Sequence, residues 1–511
     1  MNTMAMTNPH PRKGSVWTWL MILATLGLAF VVLVEIINIL FYDPYGEKHF
    51  LFRLAGILSD IDIGTLTWLM FGSLFVCLMA GLPLAFVIGG LGVVFVYLVG
   101  DQAMLNIVPS RIFPMMTNSD LAAIPLFIFM ATMLERAGLI EEMFDVVYKW
   151  MGGLRGGLAA ATILASTILA AMVGVVGAAV VTMGIIALPA MLKRNYDPQI
   201  AIGSIMAGGT LGVLIPPSIL AILYAVVAQQ SVGELYLGSV VPGLLLSGLY
   251  LAYVFVRTHL NPALGPALPK EERIGMVEKL KLLKGLVMPI LLVVIVLGML
   301  FAGIATPVEA AGVGSFGAIV VALMHKRFSL KVLMDASVTT AKSSAMVLWI
   351  IFGASIFVGF YILQGGQAFI TETILGTGLP PYGILFLMMA LLVVLGMFLD
   401  WVGILLLAVP IFVPIIKTMT FDGVFGLPGP GADDVAIWFG VLYVVNMQMS
   451  FLSPPFGYAL FYIRGVAPPE ISMATIFRSS LMFLLLQTLG LALCIIFPSL
   501  VTYLPNLVYT H

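Results

Sequence analysis

Two double prolines lie deep inside apolar sequence and constrain this chain more than any other feature. Pro216-Pro217 follows a Gly-rich stretch that starts at Gly209, and Pro454-Pro455 follows a polar stretch that starts at Gln448. Proline lacks an amide donor and its ring clashes with the preceding turn, so a helix cannot run smoothly through either place. In hydrocarbon each freed backbone group costs roughly several kcal/mol unless it lines a cavity or binds a ligand. The pattern therefore predicts two broken membrane helices.

The composition places the chain in a membrane. Of its 511 residues, 61% are hydrophobic and 9% are charged, whereas soluble domains have about 45–50% apolar and about 25% charged residues. A net charge of −1 argues against nucleic acid as a partner. Cys77 and Cys494 lie in separate apolar runs, and we interpret them as packing residues rather than as a disulfide or a metal pair.

The N-terminal apolar stretch predicts an additional membrane helix. Arg12 and Lys13 precede residues 16–41, a run about twice as long as the apolar core of a signal peptide. We interpret residues 1–60 as a tail and a retained helix that starts in the cytoplasm. Glu35 and Asn38 inside this helix are expected to contact a neighbouring helix or subunit.

Corresponding features recur at nearly constant spacing. The positions of Pro83 and Pro307 differ by 307 − 83 = 224, those of Ser119 and Ser343 by 343 − 119 = 224, and those of the double prolines by 454 − 216 = 238. The larger offset of the double prolines coincides with a Gly/Pro-rich loop at 420–434. The spacing predicts two repeats, which we expect to be inverted although spacing alone does not determine this. The predicted units are a first repeat at 61–257, a polar cytoplasmic linker at 258–284, a second repeat at 285–503 and a tail at 504–511.

Each repeat is predicted to hold one re-entrant hairpin and one broken helix. Regions 103–140 and 331–376 are apolar but cut by Pro, Gly, Ser and charges, which favours hairpins over complete spans. The broken helices are predicted at 199–230 and 435–463. The fold class is therefore an all-α polytopic membrane protein.

Broken helices suggest a chemistry as well as a shape. They offer carbonyl and hydroxyl oxygens to a cation, and half-helix N-termini offer amide donors to a carboxylate. Ser, Thr and Asn at these places suit sodium or an organic anion better than a transition metal. The alternative is that hydroxyls such as those of Thr210, Ser218 and Ser453 only bond to carbonyls of their own helices, and that Gly only permits close packing.

Two carboxylates next to apolar segments have different interpretations. Asp400 ends an apolar helix, which makes it a candidate for ion or proton coupling. Glu309 follows Thr306 and Pro307 in a pattern typical of a capping box, which is a structural role. The sequence contains no H-E-x-x-H or G-x-S-x-G motif, and none of its five histidines lies deep in an apolar run. We therefore do not expect an enzyme.

Several motifs, in order, resemble the large membrane subunit of tripartite ATP-independent periplasmic (TRAP) transporters. The resemblance covers roughly residues 62–503. Its motifs are Asn118–Phe127, Gly209–Ser218, Thr306–Ala311, Gly396–Asp400 and Ser453–Gly457. The resemblance implies a sodium-driven elevator importer of organic acid anions in the bacterial inner membrane. It also implies two partners, a periplasmic binding protein and a separate small four-helix membrane subunit.

The resemblance further implies where sodium and substrate bind. One sodium ion is expected near Ser119, Gly209 and Thr210, and the other near Ser343, Ser450 and Ser453. The complete set of candidate sodium- and substrate-binding residues is Asn118, Ser119, Gly209, Thr210, Gly212, Pro216, Pro217, Ser218, Ser343, Ser344, Asp400, Gln448, Ser450, Ser453, Pro454 and Pro455. No cofactor other than the coupling ions is expected.

Some alternatives stay open at the level of sequence. A stand-alone ion-coupled carboxylate transporter, which needs no binding protein, would have similar broken helices. Asp120 and Asp400 keep proton coupling open beside sodium coupling. A 2-oxo acid, a C4-dicarboxylate, an aromatic acid and a sugar acid would all fit as substrates.

Overall fold

The computed structural model describes residues 61–100, 102–173, 176–455 and 457–509, and these residues form helices and turns without a β-strand. The prediction of an all-α polytopic membrane protein is confirmed. Six of the described helices are long and apolar enough to cross a membrane, or seven if one bent pair counts as a span. The predicted helix at 16–41, with Glu35 and Asn38, lies outside the described residues.

The described helices fall into two similar series. The first is α1 (Ile63–Met79), α2 (Leu84–Val99), α3 (Ile107–Met116), α4 (Ala123–Arg136), α5 (Leu139–Met151), α6 (Gly157–Val173), α7 (Val176–Leu192), α8 (Pro198–Thr210), α9 (Ile219–Ala228) and α10 (Val232–Leu260). After the linker helix α11 (Met276–Leu282), the second is α12 (Lys284–Phe301), α13 (Pro307–Met324), α14 (Leu330–Leu363), α15 (Gly366–Leu375), α16 (Pro381–Gly396), α17 (Trp401–Lys417), α18 (Val435–Leu452), α19 (Tyr458–Val466), α20 (Met473–Ile496) and α21 (Ser499–Val508). The first positions of α6 and α16 differ by 381 − 157 = 224, the same spacing as Pro83 and Pro307.

Helices α6 and α7 form a helical hairpin, here called hairpin 1. A methyl group placed on Gly208 would lie 2.8 Å from Cβ of Ser166 in α6, and one placed on Gly209 would lie 2.4 Å from Cγ2 of Val180 in α7. A straight helix would separate Ser166 and Val180 by about 21 Å, yet both flank adjacent glycines of α8. The two helices therefore run side by side in opposite directions.

Helices α16 and α17 form hairpin 2 in the second repeat. Asn446 and Tyr443, one turn apart on α18, donate hydrogen bonds to the carbonyls of Met389 at 2.8 Å and Trp401 at 3.5 Å. The chain therefore reverses between Met389 and Trp401. All four hairpin helices have 16 or 17 residues. At about 25 Å each is shorter than the roughly 30 Å hydrocarbon core, a length that fits a re-entrant segment but that α1 and α2 share.

The two hairpins enter from opposite faces of the protein. The base of hairpin 1 contacts the linker, because the amide of Gly156 donates to the carbonyl of Gly265 at 2.8 Å. The base of hairpin 2 contacts the 420–434 loop, because the hydroxyl of Tyr382 donates to the carbonyl of Asp422 at 2.7 Å. The repeats are therefore inverted with respect to each other.

The broken helices show the same inversion. The hydroxyl of Tyr224, in the half that follows the first double proline, donates to the carbonyl of Ala436 at 2.7 Å. Ala436 begins the half that precedes the second double proline. The second half of the first broken helix therefore ends at the face of the protein where the first half of the second broken helix begins.

The regions predicted as hairpins have a different structure. Within 103–140, α3 and α4 form a bent pair with an angle of 63°. Within 331–376, α14 continues as one helix of 34 residues and is followed by the short helix α15. The prediction at 331–376 is wrong because this stretch lacks proline, and its hydroxyls bond to their own helix, as Thr340 does to the carbonyl of Ala336 at 2.8 Å. Residues 504–508, predicted as tail, belong to α21.

The distribution of charge orients the protein. The face that carries the linker also carries the loops after α5, α7 and α13, since the amide of Leu268 donates to Gly152 and that of Asp197 to Leu264, and Arg327 donates to the carbonyl of Gly138. This face is rich in basic residues, namely Lys149, Arg155, Lys193, Arg194, Arg257, Arg273, Lys279, Lys281, Lys284, Lys326, Arg327 and Lys331. The opposite face carries Lys417 and the carboxylates of Asp62, Glu234, Glu309, Asp422, Asp433 and Asp434. Because cytoplasmic loops carry the excess of Lys and Arg, the linker face is cytoplasmic.

Candidate functional site

The first broken helix is interrupted at residues 211–218, here called break 1. Helix α8 ends at Thr210 and is followed by a 3-10 turn at Leu211–Val213 and a cis Pro216-Pro217 bond. The Ser218 hydroxyl donates to the carbonyl of Val213 and accepts from the amide of Ala221 at 3.3 Å, which caps α9. Break 1 is therefore held by local hydrogen bonds of its own sequence.

The second broken helix is interrupted at residues 453–457, here called break 2. Helix α18 ends at Leu452, the Pro454-Pro455 bond is cis, and α19 begins at Tyr458. The Ser453 hydroxyl donates to the carbonyl of Met449 at 2.7 Å, and the Ser453 side chain is 1% exposed. Break 1 and the start of break 2 thus lie within the protein interior, whereas Pro455 in break 2 is exposed.

Both hairpins, break 1 and the residues that flank break 2 line one cavity of about 50 Å³. It is here called the central cavity. Its lining residues are Val176 and Gly177 of hairpin 1, Val213 of break 1, Asp400 and Trp401 of hairpin 2, and Phe451, Tyr458 and Tyr462 beside break 2. Parts of the chain from both repeats, far apart in sequence, therefore meet at one point, between helices that enter from opposite faces.

The central cavity is surrounded by helix N-termini. Helix α17 begins at Trp401 and α19 at Tyr458, and both residues line it. The free amide groups and the dipole at the start of a helix favour an anion. Asp400 is the N-cap of α17 and accepts a hydrogen bond from the amide of Val402 at 3.3 Å. The cavity thus combines donors suited to a carboxylate with one carboxylate of its own.

Comparison with known sequences decides the family. The family described as "Tripartite ATP-independent periplasmic transporter, DctM component" matches residues 71–500. The chain belongs to this TRAP family. It is therefore a large permease subunit, a multi-pass protein of the inner membrane, and its family is one of transporters rather than enzymes.

Alignments with named relatives extend over most of this TRAP permease. The "C4-dicarboxylate TRAP transporter large permease protein DctM" of Vibrio cholerae is 30% identical over 451 residues, 84% of this chain and 95% of the relative. The "Ectoine/5-hydroxyectoine TRAP transporter large permease protein UehC" of Ruegeria pomeroyi is 29% identical over 456 residues, 86% of this chain and 99% of the relative.

A solved structure supports the fold. The YdaH transporter of Alcanivorax borkumensis aligns with a TM-score of 0.57 at 16% sequence identity, covering 78% of this chain and 88% of that one. Similarity at this identity concerns the architecture alone.

The candidate residues in and just before break 1 face three different parts of the permease: hairpin 1, α20 and the break itself. Gly209 packs against Val180 of hairpin 1. The Thr210 hydroxyl donates to the carbonyl of Ala207 at 2.8 Å and accepts from the Gln487 amide at 3.3 Å, so it faces α20. The other candidates, Gly212, Pro216, Pro217 and Ser218, are buried in the break itself.

The candidate residues of break 2 lie close to hairpin 2. The Ser450 hydroxyl is directly opposite Gly396, where an added methyl group would lie 2.1 Å from it. Gln448 is fully buried and neither atom of its amide has a hydrogen-bond partner. Pro454 is partly exposed and Pro455 is exposed. Asp400 is the candidate that lines the central cavity directly.

The remaining four candidates lie away from the breaks. Asn118 caps a 3-10 turn by accepting from the amide of Asp120 at 2.9 Å, and Ser119 is exposed. Asp120 lines a separate cavity of about 250 Å³ with Gln230, Ser231 and Tyr509, near the periplasmic face. The assignment of Asn118 and Ser119 to a hairpin tip is therefore wrong.

Ser343 and Ser344 lie on the continuous helix α14. Thr340, one turn earlier, has its hydroxyl 3.1 Å from that of Thr132 in α4. Thr132 follows Ser119 by about 20 Å of helix. Ser119 and Ser343 therefore do not meet, and the assignment of Ser343 and Ser344 to a second hairpin tip is also wrong.

Sequence reasoning missed most residues of the central cavity. Of the residues that line it, Asp400 was a candidate, and Val176, Gly177, Val213, Trp401, Phe451, Tyr458 and Tyr462 were not. The length of α6, α7, α16 and α17 gave no signal by itself, because α1 and α2 are equally short, with 17 and 16 residues. The aromatic side chains beside the second double proline were a signal, because they lie next to a predicted break.

Proposed function

We propose that this permease imports an organic acid anion through the central cavity, coupled to sodium, by an elevator movement. The observation that carries the proposal is the meeting of two inverted hairpins and two broken helices around one cavity. Such an arrangement supplies a binding site that can be reached from either face when the surrounding unit moves.

The substrate class follows from the helix N-termini. The starts of α17 and α19 offer amide donors to a carboxylate. Relatives named for C4-dicarboxylates and for ectoine, which both carry carboxylates, agree with this class. The polar groups are few, so we expect a small solute.

Sodium is proposed between each hairpin and the break that it faces. At break 1 the ligands would be backbone carbonyls of Leu211–Val213. At break 2 they would be the hydroxyls of Ser450 and Ser453 with the carboxylate of Asp400. Neutral oxygens and a single carboxylate suit a monovalent ion, and the described residues contain no cluster of three or more metal-binding His, Cys, Asp or Glu side chains.

The moving unit is proposed to consist of the hairpins and broken helices. Helix α5 joins α4 to hairpin 1, and α15 joins α14 to hairpin 2. Each connector starts after a glycine in the left-handed region, Gly138 with φ of 68° and Gly365 with φ of 88°. Only glycine adopts this conformation without cost, so the two connectors enter through equivalent sharp turns. They are the natural hinges between the moving unit and the outer helices.

The partners are proposed from the family. A tripartite system requires a small four-helix membrane subunit and a periplasmic binding protein that delivers the anion. The stand-alone alternative predicts full uptake by the permease in liposomes without either partner. Uptake that requires both partners would support the tripartite proposal, and uptake by the permease alone would reject it.

The ion assignment is tested by sodium dependence. Initial uptake at fixed pH and membrane potential should rise with sodium with a Hill slope above one. Ser450→Ala should raise the sodium requirement roughly tenfold, since a lost hydrogen-bond-strength contact to a charged species costs on the order of 1.5–3 kcal/mol. The exposed Ser119→Ala variant is the control and should leave the curve unchanged. Uptake driven by a pH gradient without sodium would contradict the proposal.

A further inference from the structure

An apolar groove lies on the surface of the protein between α2, α3 and α14, and is here called the outer groove. Its volume is about 530 Å³, and its walls include Phe86 and Val93 of α2, Ile112 of α3, and Trp349 and Ile356 of α14. Phe86 is 65% exposed and Trp349 is 56% exposed. Large apolar side chains therefore line a recess that the described residues leave open.

The floor of the outer groove consists of glycines. Gly89 of α2 and Gly353 of α14 meet there, since a methyl group placed on Gly89 would lie 3.2 Å from Cα of Gly353. A methyl group placed on the neighbouring Gly90 would meet nothing within 4 Å. Because glycine lets the backbones of membrane helices approach closely, this floor can receive a further helix along α2 and α14.

A positive charge lies at the periplasmic end of the outer groove. Arg111 precedes Ile112 in α3, and its side chain packs against Gly359, one turn beyond Ile356 of α14. Helix α14 runs from the cytoplasmic face, so Gly359 is near its periplasmic end. None of the ion pairs among the described residues includes Arg111. A charge beside apolar helices is costly unless it is paired, so this end of the groove suits an acidic partner.

The apolar run 16–41, which lies outside the described residues, carries a matching pattern. In a helix Leu28, Val31, Glu35 and Asn38 share one face, because they are three or four residues apart. Apolar side chains therefore precede an acid and an amide on the same face.

The opposite charges lie at matching depths. Because the run starts in the cytoplasm, Glu35 lies about 9 Å before its periplasmic end at Phe41. Arg111 is level with Gly359, about 6 Å before the end of α14 at Leu363. The two depths agree to within about one helical turn.

The connection to α1 fits the same placement. Residues 42–60 can span up to about 60 Å, and they join two ends that both lie at the periplasmic face. Near its periplasmic start α1 contacts the end of α14, where the hydroxyls of Thr67 and Tyr361 are 2.8 Å apart. A segment held by a short tether has a high effective concentration at a nearby groove, which favours it over a separate partner.

We propose that residues 16–41 form a membrane helix that occupies the outer groove, with Glu35 paired to Arg111. The helix covers the exposed rings of Phe86 and Trp349 and lies beside the glycine contact of α2 and α14. This inference goes beyond the proposed function, since it concerns the outer helices and is independent of what the central cavity carries.

The experiment crosslinks the segment to the groove in the complete chain, in native membranes with the small membrane subunit present. Both native cysteines are replaced by alanine, Val31→Cys is combined with Val93→Cys, and a protease site is placed within 42–60. Oxidation should keep the N-terminal fragment attached to the rest of the same chain after cleavage. The matched control combines Val31→Cys with Val294→Cys, which is exposed on α12, and should release the fragment.

Charge reversal tests the ion pair. Glu35→Arg or Arg111→Glu alone should reduce the crosslinked fraction about tenfold, because like charges would meet beside apolar helices, and the double variant should restore it. The control combines Glu35→Arg with Lys417→Glu, on the same face of the protein, and should not restore it. Failure of the double variant to restore crosslinking, or restoration by Lys417→Glu, would overturn the pairing.

The remaining outcomes assign the outer groove to another occupant. A crosslink between two copies of the chain would assign it to a dimer, and protection of Val93→Cys by the small subunit without a crosslink to Val31→Cys would assign it to that subunit. Release of the fragment from both cysteine pairs, with Val93→Cys open to reagents, would leave the groove to lipid. Each of these results would overturn the proposal.

Discussion

The two repeats join their hairpins to their broken helices at equivalent positions by different means. In the first repeat Gly208 of α8 lies against Ser166 of α6, with 2.8 Å between a methyl group placed on the glycine and Cβ of Ser166. In the second repeat Asn446 of α18 donates a hydrogen bond to the carbonyl of Met389 in α16 at 2.8 Å. Gly208 and Asn446 correspond, since 446 − 208 = 238 is the offset of the double prolines, and Ser166 corresponds to the neighbour of Met389, since 166 + 224 = 390. One contact thus uses close approach of backbones and the other a buried hydrogen bond.

The difference extends to the central cavity. Hairpin 1 and break 1 contribute Val176, Gly177 and Val213, which provide shape but little polarity. The second repeat contributes Asp400 and the aromatic rings. The inverted architecture therefore places the two halves symmetrically, while the charged and aromatic side chains of the cavity come from the second half.

The largest effect is expected where hairpin 2 meets α18. Gly396→Ala would place a methyl group 2.1 Å from Oγ and 2.2 Å from Cβ of Ser450. Overpacking of this kind costs about 1–3 kcal/mol or more, and we expect loss of thermal stability and of uptake. The double variant with Ser450→Gly should recover stability, because it removes the clashing atoms. Gly248→Ala, which meets nothing within 4 Å, is the matched control, and equal losses in both alanine variants would refute the contact.

A smaller effect is expected at the equivalent helix contacts. Asn446→Leu should lower the free energy of unfolding by about 1–3 kcal/mol, because it removes a buried hydrogen bond. Ser166→Ala should change it by less than about 0.5 kcal/mol, because the Ser166 hydroxyl has no hydrogen-bond partner. Thermal unfolding of both variants measures the difference. A comparable loss in Ser166→Ala would mean that the two repeats use polar contacts alike.

The third prediction concerns the contact between Gly177 of hairpin 1 and the ring of Tyr462 in α19. Gly177→Ala would place a methyl group 2.9 Å from the Tyr462 ring, which must shift. We expect a severalfold rise in the solute concentration needed for half-maximal uptake, with little change in unfolding temperature because the ring can move. Gly465→Ala on the same helix as Tyr462 meets nothing within 4 Å and should leave uptake unaltered. An unaffected Gly177→Ala would show that hairpin 1 does not shape the cavity.

The smallest effect is expected at the cap of α1, outside both hairpin units. The Asp62 carboxylate accepts from the Thr65 hydroxyl at 2.7 Å and from its amide at 2.9 Å, and these hydrogen bonds hold the pKa of Asp62 below its usual value. A lowered pKa in the folded state stabilises the protein above the unfolded pKa, and this contribution disappears as pH falls through the folded pKa. Asp62→Ala should therefore lower the unfolding temperature slightly at pH 7 and not at the lowest pH of the scan. A difference that is constant with pH would contradict the role of the charge.

The positions of both broken helices could be predicted from the sequence almost completely. Proline in apolar sequence removes donors whatever the surroundings, so Pro216-Pro217 and Pro454-Pro455 mark breaks without knowledge of any neighbour. The constant spacing of Pro83 and Pro307 likewise reveals two repeats. Composition alone required lipid as the solvent for much of the chain.

Hairpin positions could not be obtained in the same way. Ser, Thr and charged residues near Ser119 and Ser343 indicated a re-entrant tip, but hydroxyls such as that of Thr340 bond within a continuous helix. Conversely, hairpin 1 contains the apolar run Gly157–Val173, which is indistinguishable in composition from part of a full span. Whether a short apolar helix turns back or crosses depends on the partners that satisfy its end.

The sequence by itself therefore determined that the protein lies in a membrane, that it contains two repeats, and where two helices must break. These properties follow from backbone chemistry and from local apolarity. The tertiary structure decided which segments are hairpins, that the repeats are inverted, and which side chains surround the central cavity. Val176, Asp400 and Tyr458 belong to helices distant in sequence, and each helix can end where it does only because the others surround its end. That mutual dependence is a property of packing, and no local pattern of residues records it.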